Sequence, residues 1–214
     1  MRLLRAIRRG RALPKIIEAG HPVLREKAAP IQRSDITDGS IRNLVDSLSA
    51  RLREDKGFGL CAPQIGESLQ LFVMEVTPDM IELETNFRDI KMLDMRPVPL
   101  TAIANPRLKY GKKMSTHRES CLSIPGYSAH VTRPVDIHLT GLCAVTGTDV
   151  SVALSGWTAR IVQHEVDHLN GCLYTDKMDA STLSINENTV KYLHPLDVQN
   201  DGAKSIKLRN ENAL

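Results

Sequence analysis

The sequence predicts an α+β fold, antiparallel sheets packed around a central helix, and three observations carry that expectation. Apolar residues recur at helical spacing in two well-separated segments. Short β-rich runs lie between those segments. The second helical segment contains H-E-x-x-H at His164, Glu165 and His168, a pattern whose chemistry requires a helix.

Element by element, the chain opens with MRLLRAIRRGRALPK. Arg2, Arg5, Arg8, Arg9 and Arg11 precede the first acid, Glu18, and Leu3, Leu4 and Ile7 share one helical face. A basic, acid-poor, amphipathic start resembles a mitochondrial targeting segment. Residues 1–13 are therefore read as a presequence and the protein as mitochondrial; a basic tail that touches RNA, in a cytoplasmic protein, is the competing reading. Ile41, Leu44, Val45, Leu48 and Leu52 follow at i, i+3, i+4, i+7 and i+11 and predict a scaffold helix with Thr37 or Asp38 as its cap. GFGLCAPQIG (57–66) reads as a glycine-rich loop, and LQLFVMEV (69–76) as a strand. Residues 77–99 read as a surface insertion in which Met80, Met92 and Met95 fill gaps. TAIANP (101–106), VDIHLTG (135–141) and DVSVALSG (149–156) are expected strands, the last two joined by a turn at CAVTGTD. ESCLSIPG (119–126) passes from polar to apolar and ends in an expected Pro-Gly turn.

The motif-bearing segment has two apolar stripes. Trp157, Ile161, His164 and His168 form one; Val162, Val166, Leu169 and Leu173 form the other. Asn170-Gly171 supplies a stop with glycine at a left-handed position. Beyond Asp179 the composition turns polar, so residues 14–180 are read as the catalytic domain and 181–214 as an extended tail.

Composition narrows the function. Hydrophobic residues make up 42% and charged residues 25% of 214, ordinary for one globular domain. Three Phe, four Tyr and one Trp imply an aliphatic core. A net charge of +3 argues against a dedicated nucleic-acid binder, so no DNA partner is expected. No apolar run approaches the ~20 residues of a membrane span, so no membrane partner is expected either. Four cysteines without a C-x-x-C pair suggest reduced thiols rather than a disulfide framework or a zinc knuckle.

On a helix, His164 and His168 stand one turn apart and can bind one metal ion together. Glu165 follows the first ligand and can reach a water on that ion without being a ligand. Such a site needs a third protein ligand and an open position. The longer motif H-E-x-x-H-x-x-G-x-x-H holds as far as Gly171, but its last position is Tyr174. A downstream acid, Glu187, is a weak candidate. Thiolate suits iron or zinc, which leaves Cys61, Cys121, Cys143 and Cys172 open, with Cys172 four residues past His168 at the wrong phase.

GFGLCAPQIG, ESCLS and QHEVDHLNG, in that order, resemble the three signature motifs of peptide deformylases. The likeness runs from about GHPVLR (20–25) to LYTDKMD (173–179). The string GWTARIVQHEVDHLNGCLYTDKMD and the insertion after residue 77 resemble the eukaryotic organelle branch. The resemblance implies Cys121 as third metal ligand beside His164 and His168, with Fe²⁺ the expected ion and Zn²⁺ also suited to the set. It implies Glu165 as general acid/base, and the Gln64 amide and Leu122 N–H as oxyanion donors. Gly57, Gly59 and Gly66 would shape the loop that holds Gln64. Gly59, Ile65, Leu122, Trp157 and Ile161 would line a pocket for methionine. The implied substrate is the formyl group on the N-terminal formyl-methionine of newly made polypeptides, with the ribosome a further partner. Three positions depart from the pattern: Ser120 stands for a glycine, Cys61 for an alanine, and Ser128 for an arginine that contacts substrate backbone. Glu119 and Arg133 are expected to pair beside the cysteine strand. The rival readings are a zinc endopeptidase and a non-catalytic ribosome- or RNA-binding protein with a structural metal site.

Overall fold

A computed structural model describes residues 13–85 and 94–186 of the chain. The arginine-rich start, Met92, Glu187, His194 and most of the expected tail lie outside the described residues. Four α-helices are described: α1 (Arg33–Thr37), α2 (Arg42–Glu54), α3 (Pro78–Thr85) and α4 (Gly156–Leu169). The strands are β1 (Gly59–Cys61), β2 (Leu71–Val76), β3 (Val98–Tyr110), β4 (Met114–Cys121), β5 (Ile124–Pro134), β6 (Asp136–Cys143), β7 (Asp149–Ser155) and β8 (Ser184–Ile185). They form an antiparallel five-stranded sheet in the order β1-β2-β3-β6-β7 and a three-stranded sheet β4-β5-β8.

Strand periodicity explains how β2 joins two cores. Successive side chains point to opposite faces. Phe72, Met74 and Val76 pack with Trp157, Ile161, Val162 and Val166 of α4. Leu71 and Val73 pack with Leu44, Leu48 and Leu52 of α2. Leu71, Phe72, Val73 and Met74 form a continuous apolar run because both faces of this strand are covered. Helix α4 thus lies against one face of the larger sheet, and Arg160 ties it to the smaller sheet by donating to Val131 O (2.9 Å) and Ser115 O (2.8 Å).

Both ends of α4 are set by backbone geometry. It begins at Gly156, φ 59°, whose N–H donates to Val135 O at 3.0 Å. It ends as expected at Asn170-Gly171, with Gly171 at φ 74°. A side chain at Gly171 would also strike the Arg25 carbonyl, so glycine is required there twice over.

Several expectations are corrected. Helix α2 starts at Arg42 with Ile41 at the N-cap, not at Thr37 or Asp38. Thr37 ends a separate short helix, and Gly39 at φ 81° breaks the path between the two. The turn after Cys121 is Leu122-Ser123, because Pro125 and Gly126 already belong to β5. The glycine-rich loop contains β1, paired with β2 from Gly59↔Met74 to Cys61↔Phe72. The insertion contributes α3 and buries Met95 in the core beside α4. Residues 181–186 are not a free tail: Ala180–Thr182 form a 3-10 turn and β8 pairs with Tyr127 and Ser128 of β5.

Candidate active site

Two elements converge on one point. Helix α4 brings His164 and His168, and β4 ends on Cys121. Among the described residues Cys121, His164 and His168 form a group whose candidate ligand atoms all lie within 4.8 Å of one another. Cys121 Sγ is 3.1 Å from His168 Nε2. Cys143 and Cys172 lie elsewhere and are half-buried. Of the four cysteines, strand placement brings Cys121 to the histidines, because Glu119 and Cys121 at the end of β4 face His164 and His168.

The donor set fits a divalent metal. Glu119 Oε2 accepts from His164 Nδ1 at 3.0 Å, which fixes the ring and leaves Nε2 toward the group. Burial pushes the Cys121 thiol up, but the charges and hydrogen bonds of His168 and His164 outweigh it and hold the group well below an ordinary thiol, in the thiolate range a metal needs. Among the described residues, His168 Nδ1 and Glu165 Oε2 are buried and find no hydrogen-bond partner. Polar atoms so placed await something other than this protein.

A buried charge network holds this geometry. Arg133 donates to both oxygens of Glu119, from Nε at 2.6 Å and Nη2 at 2.8 Å. Arg160 Nη1 adds 2.6 Å to Glu119 Oε1. Arg133 Nη1 reaches Asp167 Oδ2 at 2.7 Å, and Lys177 Nζ reaches Asp167 Oδ1 at 2.5 Å. Despite the cost of burial, the hydrogen bonds and charges of Arg133 and His164 hold the Glu119 carboxyl far below the ordinary range. The expected Glu119–Arg133 pair is therefore present, but sequence reading missed Arg160, Asp167 and Lys177. One signal was available for Arg160: it lies four residues before His164, so Arg160, His164 and His168 stack along one line of the helix. Tyr174, at the missing third-histidine position, stacks on His164 with ring centroids 6.3 Å apart and an interplanar angle of 21°.

Glu165 is fully enclosed, and burial pushes its carboxyl from 4.5 up to about 7, against the opposing pull of His164 and His168. It packs on Gly59, where a Cβ would overlap Oε1 and lie 2.8 Å from Cδ and 2.9 Å from Cγ. This close approach gives Gly59 a steric reason that sequence reading did not supply.

Gln64 is held by its oxygen. Its Oε1 accepts from Cys61 N at 3.0 Å and Cys61 Sγ at 3.3 Å. That leaves Nε2 facing Ser123 Oγ (3.2 Å) and Cys121 Sγ (3.6 Å). Cys61, one of the departures from the motif, thus backs the amide and has no place in the metal-capable group. Its burial raises the thiol well above the usual range.

A cleft of about 460 Å³ opens onto this centre. Gly59, Gln64, Cys121, Leu122, Trp157, Ile161, His164 and Glu165 line it. Phe58 adds an edge-on contact to Trp157, centroids 5.6 Å apart. Of the residues expected in the pocket, Ile65 is not among its walls; it packs on the apolar cluster under α2. The wall also includes Arg118, which was not expected and whose Nη1 reaches Ser128 O at 3.2 Å.

Fold and site together define an α+β protein in which an H-E-x-x-H helix and a strand-end cysteine form one metal-capable group. Residues 13–183 match the family model described as polypeptide deformylase. The chain is 40% identical over 178 residues to peptide deformylase 1A, chloroplastic, of Solanum lycopersicum, covering 83% of this chain and 64% of that protein. It is 36% identical over 170 residues to the mitochondrial peptide deformylase of Homo sapiens, covering 79% and 69%. The chain thus spans about two thirds of the length of these relatives. Among solved structures, the Met-Ala-Ser-bound class I type b peptide deformylase from Acinetobacter baumannii superposes with a TM-score of 0.68 at 26% identity, covering 78% of this chain and 99% of that one. The chain belongs to the polypeptide deformylase family.

Proposed function

We propose that this protein hydrolyses the formyl group from the N-terminal formyl-methionine of newly made polypeptides, releasing formate, and that it does so in the mitochondrion. The observation that carries the reading is the meeting of Cys121, His164 and His168 with an enclosed Glu165 and an oriented Gln64 amide at the end of one cleft. Matches to plastid and mitochondrial relatives and the arginine-rich first residues support the location.

Cys121, His164 and His168 would hold one divalent ion, Fe²⁺ in this reading, with Zn²⁺ suited to the same ligands. When bound, the ion supplies Lewis acidity and lowers the pKa of water from 15.7 to roughly 7. Glu165, its carboxyl pushed up by burial, takes the proton from the attacking water and passes it to the departing amine nitrogen. Its burial serves that exchange, because an ordinary carboxyl would be too weak a base and too strong an acid to do both. Gln64 Nε2 and the Leu122 N–H donate to the oxygen that gains charge as the carbon becomes tetrahedral. Loss of one such donor costs about 2.7–4 kcal/mol. Phe58, Leu122, Trp157 and Ile161 offer the methionine side chain an apolar wall. The substrate partners are formylated nascent chains, met at the ribosome.

The test is formate release from a formyl-methionyl tripeptide by anaerobically Fe²⁺-loaded protein, with Glu165→Ala beside it. Release by the wild type and none by the variant is expected. A folded, metal-replete wild type that releases no formate, or that cuts internal amide bonds instead, would overturn the proposal.

A further inference from the structure

Four cations stand together where β3 ends and turns toward β4. Arg107, Lys109, Lys112 and Lys113 fall within residues 107–114, a stretch with no acid. All four are exposed, and among the described residues none is ion-paired with a carboxylate. Several exposed arginines elsewhere are paired, Arg25 with Asp176, Arg33 with Asp149 and Arg53 with Glu75, while the exposed Arg42 is a single cation. Like charges left together without counter-charges destabilise a fold slightly and create a potential that attracts anions. The mild net charge of the whole chain conceals this corner.

The corner is also built rigidly. Arg107 and Lys109 are two apart on β3 and share a face with their β6 partners Thr140 and His138, then Ser151 and Ala153 of β7. Asp136 and Asp149 bound that part of the face, two residues from His138 and Ser151 respectively. Pairing with β2 ends at Ala104, so residues 107–110 project beyond it. The turn is braced by Gly111 N donating to Asp136 O and Val135 N donating to Lys113 O, both 2.8 Å. Asp149 is paired with Arg33, and Asp136 and Asp94 share a crevice with Lys113, which leaves the stretch a surplus of positive charge. Tyr110 and Met114, 57% and 51% exposed, flank the turn, and Tyr110 lies on the opposite face of β3 from Arg107 and Lys109, at the strand edge that β2 leaves open.

We propose that this corner binds single-stranded RNA, the four cations following its phosphates and the Tyr110 ring offering a face on which a base stacks. A row of charge running back along a strand suits an elongated polyanion. A membrane surface would instead require apolar residues at the tip, where Gly111, Lys112 and Lys113 stand. None of residues 107–114 lines the catalytic cleft, so the proposal is independent of the hydrolytic reading.

The test is fluorescence anisotropy of the full chain with a labelled uridine-rich RNA single strand over a salt series, comparing wild type with K109A/K112A/K113A and with Tyr110→Ala. The N-terminal arginines are common to all and set a shared baseline. The triple variant should bind at least ~10-fold more weakly at low salt, with the log–log salt slope lower by about 0.7 per lost contact. Tyr110→Ala should weaken binding ~5-fold or more with the slope unchanged, as loss of stacking does. Formate release should be unaffected in every variant. An unchanged slope in the triple variant would assign all RNA affinity to the N-terminal segment and overturn the proposal. So would binding of anionic vesicles, but not RNA, that depends on the same lysines.

Discussion

Replacing Gly59 by alanine probes the positioning of the proton carrier without touching a metal-capable residue. The added Cβ would overlap Glu165 Oε1 and sit 2.8 Å from Cδ and 2.9 Å from Cγ. Ordinary contact requires about 3.5–4.0 Å, so the carboxylate must retreat by roughly 1 Å. The clash is with the far end of one side chain, not with backbone, so the fold survives. A displacement of ~1 Å in a catalytic group costs on the order of 100-fold in rate. Gly59→Ala should therefore lose ~100-fold in kcat for formate release, keep its metal stoichiometry, and melt close to the wild type. Steady-state kinetics with metal analysis and a thermal melt test this. A kcat within ~3-fold of wild type in a folded, metal-replete variant would refute the argument that Gly59 leaves room for Glu165.

The remaining predictions concern the surrounding shell. In the metal-free protein Glu165 has its folded pKa raised from 4.5 to about 7, so its contribution to stability is full below about 4.5 and is lost as pH rises through about 7. Glu165→Gln stays neutral, so above pH ~8 it should be more stable than wild type, by up to about 3 kcal/mol, in urea denaturation; equal pH profiles for the two proteins would contradict this. Arg133→Met removes the link between Glu119 and Asp167 and should cost about 3 kcal/mol and weaken metal retention against a chelator; a loss below ~1 kcal/mol would show that Arg160 and Lys177 suffice. Tyr174→Phe deletes a buried hydroxyl that has no protein partner, so it should be neutral or stabilise by up to about 1 kcal/mol. A loss of more than ~1 kcal/mol would mean the hydroxyl has a partner after all.

Local chemistry was legible in the sequence; juxtaposition was legible only in part. H-E-x-x-H specified its own helix, because both histidines must share a face, and Gly171 marked where that helix stops. Strands β2, β6 and β7 were visible because each is rich in β-branched or aliphatic residues. Strands β4 and β5 escaped because they are polar: MSTHRESC buries Arg118 and Glu119 against other charges, which period-2 hydrophobicity cannot reveal. The same limit hid Arg160, Asp167 and Lys177, whose partners lie on β4, β5 and α4, far apart in the chain. Ile65 was misjudged for a related reason. It is adjacent to Gln64, but the 3-10 turn that points Gln64 at Cys121 sends Ile65 toward α2.

The central claim is that one metal ion on Cys121, His164 and His168 makes this cleft a formyl hydrolase. Titrating metal-free protein with Fe²⁺ under anaerobic conditions, while following formate release, tests it directly. Activity should rise linearly and saturate at one ion per chain, and Cys121→Ala should abolish both tight binding and release. Formate release without added metal, or undiminished in Cys121→Ala, would contradict the account.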